Sequence, residues 1–175
     1  MGFEVEYDKE MEDLGLCIKE LRKHKGWTQQ QLAVKVSLSR EHIGHIEGAK
    51  GDIKFETLVK LATVFEIEVS ALFNGQGMGH LPTSNYLAIE NRLITEKQLL
   101  GNRILQISKH RGLDIQELSI LTKIDYSDTF KYLNGEKNME LRTIFKFATA
   151  LEVGIKDLFN YNNSLPDNSI YVGKT

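Results

Sequence analysis

One cysteine in 175 residues leaves nothing for an internal disulfide to pair with and points to a reducing compartment. That residue, Cys17, lies between apolar neighbours in a segment of helical spacing, and it is expected to be a buried thiol. No secretory apolar segment opens the sequence. No apolar run approaches the roughly 20 residues that a membrane-spanning helix needs. A cytoplasmic protein without a membrane partner is expected. No stretch alternates apolar and polar residues long enough for a half-buried strand. The signatures of catalysis are missing too: there is no phosphate-cradling loop and no nucleophile–base pattern. The alternating glycines of Asn74-Gly-Gln-Gly-Met-Gly79 lack the preceding strand that a dinucleotide site requires. His42 and His45 stand near Glu41, but no further ligand completes a metal set. No enzymatic activity, no cofactor and no metal are expected.

What the sequence does contain is a duplication. Leu14–Phe73 aligns with Leu100–Phe159 without a gap, at a constant offset of 86 residues, and 15 of the 60 positions are identical. Many other pairs exchange one apolar residue for another, as in Leu21/Ile107, Val34/Ile120 and Leu58/Ile144. One fold used twice is implied. Each copy is near the lower size limit for a self-supporting core, so the copies are expected to lean on each other or on a second chain.

Charge is unevenly distributed. The net formal charge of −2 conceals an acidic opening, where residues 1–13 carry −5, and two mildly basic copies of +2 and +1. The global balance neither demands nor excludes a polyanionic partner, because binding depends on which face carries the bases. The acidic opening is expected to be a solvated helix start.

Capping signals divide each copy into five short helices. Asp8 is positioned to cap a first helix over about 9–24, closed by Gly26 after the basic turn Lys23-His24-Lys25. Thr28-Gln-Gln-Gln31 reads as a capping box opening a helix to about Val36, and Ser39 caps a third helix over about 40–48. Apolar residues at Phe55, Leu58, Leu61, Ala62 and Phe65 mark a fourth helix with one buried stripe. Val69, Leu72 and Phe73 fall in a last turn. In the second copy, Thr95-Glu-Lys-Gln98 reads as a capping box with Ile94 and Leu99 as its staple; Asp114-Ile-Gln-Glu117 and Asp125 cap the next two helices. Composition makes 74–84 a linker. Residues 85–93 are apolar enough for a short helix, and the polar tail from 161 is expected to be loose, with 169–172 able to pair as an edge strand.

The run from Thr28 to Glu47 resembles the helix-turn-helix of phage-repressor/Cro regulators, the XRE type. The matching residues are Thr28, Gln29, Leu32, Ala33, Leu38, Ser39, Ile43, Ile46 and Glu47. Phe55-Glu-Thr-Leu58 and Leu72-Phe73 continue the likeness, and 100–159 carries it more weakly. The resemblance implies an all-α protein with two small five-helix, lambda-repressor-like domains in tandem: 8–74, a Gly-rich linker 75–94, a divergent second domain 95–160 and a flexible tail 161–175.

Physical reasoning agrees. With Leu38, Ile43 and Ile46 turned inward, the third helix presents Arg40, Glu41, Gly44 and His45 outward. A helix of this width fits the DNA major groove. Arg40, Glu41 and His45 are the expected base contacts. Arg40 suits guanine and Glu41 the cytosine amino group. Thr28, Gln29, Ser39, His42, Lys50 and Lys54 are the expected phosphate contacts by the resemblance. The second copy departs from this pattern. Ile115 stands where Gln29 does, and Asp125, Tyr126, Ser127 and Asp128 stand where Ser39, Arg40, Glu41 and His42 do. Its exposed apolar side chains suit a protein contact, although Tyr126, Lys131 and Lys137 retain the means to touch DNA.

A sequence-specific transcriptional regulator is therefore expected, most simply a repressor, with double-stranded DNA and a second copy of the chain as partners and a protein contact through the second domain. Two geometries stay open. One chain places both units in successive grooves, or two chains dimerise through their second units and present two first units about 34 Å apart. The competing function is an antirepressor- or antitoxin-like module that uses the same scaffold to capture protein.

Overall fold

The computed structural model describes residues 2–73, 89–161 and 165. Among these, helices account for nearly all regular structure. They run α1 Phe3–His24, α2 Gln29–Val36, α3 Arg40–Glu47 and α4 Phe55–Phe65, with a 3-10 turn at Val69–Phe73. The second series is α5 Ile89–His110, α6 Ile115–Thr122, α7 Tyr126–Leu133, α8 Leu141–Ala150 and α9 Ile155–Leu158. The all-α expectation holds, and the two series repeat each other. The expected linker at 74–84 and edge strand at 169–172 lie outside the described residues.

Local chemistry sets most boundaries. The Thr28 hydroxyl accepts the Gln31 amide at 3.2 Å, while the Gln31 side chain accepts the Thr28 amide at 2.7 Å. Asp114 and Glu117 make the same reciprocal pair at 2.8 Å each. Ser39 caps α3 by accepting from His42, and Asp125 caps α7 by accepting from Ser127 and Asp128. Gly26 ends α1 at φ +70°, a left-handed conformation that favours glycine.

Two cap expectations fail. The first helix begins at Phe3 with Gly2 as its N-cap, so Asp8 is inside it. Thr95-Glu-Lys-Gln98 lies within the unbroken α5; the Thr95 hydroxyl donates back to the Asn91 carbonyl at 2.9 Å, and Ile94 is 54% exposed rather than stapled. Tertiary contact overrides the local signals here. Both helices are 22 residues long and start 86 residues apart. Their early turns pack on the opposite unit. Phe3 and Tyr7 of α1 meet Phe145 of α8, with ring centroids 5.2 and 5.6 Å away. Arg142 of α8 lies 4.3 Å from the Tyr7 ring and pairs with Glu4. In the mirrored position, Arg92 of α5 donates to the Thr63 hydroxyl and the Ile67 carbonyl.

The units are joined by reciprocal contacts between equivalent residues. The Phe55 amide donates to the Met139 carbonyl at 2.8 Å, and the Leu141 amide donates to the Ile53 carbonyl at 2.8 Å. Lys54 and Glu140, which face each other between these bonds, are themselves 86 residues apart. Glu56 donates its amide to the Asn138 side chain and Arg142 donates its amide to Asp52. Phe73 stacks on its own counterpart Phe159, with centroids 5.1 Å apart and planes 7° from parallel. Phe55 stacks on the same Phe159 ring. An exchange in which i meets j′ and j meets i′ defines a twofold relation. The chain is thus an internal pseudo-dimer, with one apolar core running through both units.

Candidate nucleic-acid interface

Helix α3 of the first unit is fixed from beneath by small residues and one buried ion pair. Ala33 of α2 is fully buried at the crossing with α3. Gly15 of α1 lies so close to α3 that a Cβ there would stand 2.7 Å from the Ile46 carbonyl oxygen; at the equivalent Gly101 it would stand 2.1 Å from the Leu133 oxygen. Ile43 and Ile46 are buried, as their spacing indicates. Arg22 of α1 forks onto Glu47, Nε to Oε1 at 2.5 Å and Nη2 to Oε2 at 2.9 Å, and also donates to the Trp27 carbonyl. Burial pushes the Glu47 carboxyl up, but the hydrogen bonds from Arg22 and Gln29 outweigh that and hold it below its ordinary value.

With the inner face fixed, the outer face is set. Arg40, Glu41, His42 and His45 are exposed along α3, and Arg40 has no ion-pair or hydrogen-bond partner among the described residues. His45 Nε2 lies 3.9 Å from Glu41. An open groove of about 450 Å³ runs beside the helix, lined in part by Ser39, Glu41, His42, His45 and Lys50. Thr28, Ser39, Lys50 and Lys54 are exposed, and of these Ser39 and Lys50 line the groove. Lys54 lies at the pseudo-twofold axis, where its backbone pairs with Glu140. Gln29 is half-buried; its amide nitrogen donates one of its two hydrogens to Glu47 at 2.9 Å. Among the described residues no His/Cys/Asp/Glu group has the makings of a metal site, and no helix is long and apolar enough to cross a membrane.

The ion pair is not legible in the sequence, although both partners are visible in it. Glu47 was placed in the motif, but Arg22, 25 residues earlier, carries no local signal. The identity of Gly15 and Gly101 across the repeat is a clue to the close seating of α3 and α7, not to the ion pair.

Comparison with known proteins agrees with this arrangement. A helix-turn-helix family model matches residues 18–72, and the Cro/C1-type HTH DNA-binding domain model matches residues 103–164. The chain belongs to the Cro/C1-type helix-turn-helix family, with two such domains in tandem. It is also 38% identical over 61 residues to the "Competence pilus inhibition repressor" of Acinetobacter baylyi (strain ATCC 33305 / BD413 / ADP1). That match covers 35% of this chain and 56% of the relative, so the chain spans little more than half the length of the curated protein it matches. No solved structure matches the chain.

The second Cro/C1-type unit keeps the scaffold and changes the outer face. Ser108 stands where Arg22 does, donating to the Leu113 carbonyl as Arg22 donates to Trp27, and Leu133 replaces Glu47. Tyr126 and Phe130 of α7 are 52% and 45% exposed, at the positions of Arg40 and Gly44. Lys131 is exposed and Lys137 is held by Asp128 at 2.7 Å, its cation also lying over the Tyr132 ring.

Proposed function

We propose that the protein is a sequence-specific DNA-binding transcriptional regulator that reads the major groove with α3 and represses by occupying its site. The observation that carries this reading is the outward face of α3: an unpartnered Arg40 beside Glu41 and His45, on a helix anchored from beneath by Gly15, Ala33 and the Arg22–Glu47 pair. A rigid helix with its first turn free suits base-edge contact. Arg40, Glu41 and His45 face the bases, and Thr28, Gln29, Ser39, His42, Lys50 and Lys54 hold the flanking phosphates. The likeness to a protein named as a repressor supports the direction of regulation. The protein acts in the cytoplasm, at the nucleoid. A palindromic operator takes two chains, one α3 from each. The units span 8–74 and 95–160 with the early turns of α1 and α5 added, and neither catalyses a reaction.

The test is selection of duplexes from a random pool, followed by affinity measurement on the winner. Arg40→Ala is expected to cost about 1–3 kcal/mol, the worth of a bidentate guanine contact, with helicity unchanged because the side chain is exposed. A wild-type chain that selects no sequence at low salt refutes the reading.

A further inference from the structure

The outer face of the second unit is a charge-inverted copy of the first. At the nine positions assigned to DNA contact, the first unit carries +2, from Arg40, Lys50 and Lys54 against Glu41. The nine equivalents carry −4, from Asp114, Asp125, Asp128, Glu136 and Glu140 against Lys131. Adding Lys137, which neutralises Asp128, still leaves −3, and its counterpart Gly51 adds nothing to the first unit.

Inside this acidic rim the face has become apolar. Tyr126 and Phe130 are four residues apart on α7 and so share one side of the helix. In the first unit the Gln29 side chain lies 3.9 Å from the point where a Cβ on Gly44 would sit. Ile115 and Phe130 occupy the equivalent positions of the second unit, Ile115 half-buried against the core and Phe130 45% exposed. Leu121 is 52% exposed where the first unit has Lys35. Carboxylates at phosphate-contact positions repel DNA at close range. Half-exposed aromatic rings offer a polyanion's backbone little beyond the Tyr126 hydroxyl. They are the kind of anchor that a protein interface buries.

We infer that the α6–α7 face is a docking surface for a protein segment of the opposite character: an amphipathic helix whose apolar stripe covers Ile115, Tyr126 and Phe130 and whose flanking lysines or arginines meet Asp114, Asp125, Glu136 and Glu140. Charge complementarity selects this occupant and aligns it, and burial of the two rings supplies the affinity. An isologous contact with a second copy is disfavoured, because it would set one acidic rim against another.

The experiment uses the full chain, isotopically labelled, with a short leucine–lysine helical peptide as probe and its leucine–glutamate counterpart as control. Amide shifts are expected to change at residues 114–137 with the basic peptide only. Tyr126→Ala and Phe130→Ala together are expected to weaken it about ten-fold or more, and Glu136→Lys more modestly, each without loss of amide dispersion. Peptide binding should persist when operator DNA fills α3, so failure of this proposal is separable from failure of the DNA reading. The inference is overturned if the basic peptide maps to α1 or α3, if both peptides bind equally, if neither binds, if duplex DNA shifts 114–137, or if those amides respond to protein concentration alone.

Discussion

Removing the Glu47 carboxylate leaves the Arg22 guanidinium with only the Trp27 carbonyl for company. Both partners are buried, the Glu47 side chain to 4% exposure, so Glu47→Ala is expected to destabilise by about 3–5 kcal/mol in urea unfolding, chiefly from the uncompensated charge. The second unit shows how the same site works without ions. Arg22→Ser with Glu47→Leu copies Ser108 and Leu133, and this double change should recover most of the loss. The pH dependence has a definite sign. The folded carboxyl lies below its ordinary value of 4.5, so its stabilisation is present above that value and disappears as pH falls through the folded value. The double variant should lack that part of the acid sensitivity. A second residue points the opposite way. Thr129 is fully buried and its hydroxyl has no partner, at the position where the first unit has Ile43. Thr129→Val keeps the shape and removes an unmet polar group, so thermal denaturation should show a gain of about 1 kcal/mol.

Helices α3 and α7 are each seated against a long helix at a glycine. An alanine in an ordinary helix position gains about 1 kcal/mol over glycine. At Gly15 that gain is outweighed, because the new methyl would meet the Ile46 carbonyl, an atom of backbone that cannot swing aside. Gly15→Ala is expected to cost about 1–3 kcal/mol and to shift α3 amides in heteronuclear spectra; Gly101→Ala, with the closer approach, should cost more. At this scale the sequence was informative wherever a boundary depended on neighbouring residues. Thr28 with Gln31, Asp114 with Glu117, and the caps Ser39 and Asp125 all act as their spacing indicates, and α4 has the predicted limits. It was uninformative where a boundary depends on distant ones. The starts of α1 and α5 are held by contacts with α8 and α4, through Tyr7 on Phe145 and Arg92 on Thr63. No nearest-neighbour signal encodes those contacts, so Asp8 and Thr95 passed for caps.

The pairing of the two units was the least legible feature. The offset of 86 was visible, but the residues that meet across the axis, Ile53 to Glu56 and Met139 to Arg142, are unremarkable in type and join mainly by backbone. Because one core spans both units, unfolding is expected to be a single calorimetric transition. Phe159 stacks on both Phe55 and Phe73 and is 2% exposed. Phe159→Ala should cost about 3–5 kcal/mol and split the transition in two, the first unit melting apart from the second.

A homodimer that changes one residue changes it twice, and a substitution that ruins one half ruins the other. Here the halves share a polypeptide, so each position varies once. Their union also survives dilution, because tethering fixes the effective concentration of one half around the other. One half is thereby free of the obligation to match its twin: the Lys54–Glu140 pairing keeps the twofold relation in the backbone, while the side chains above it differ.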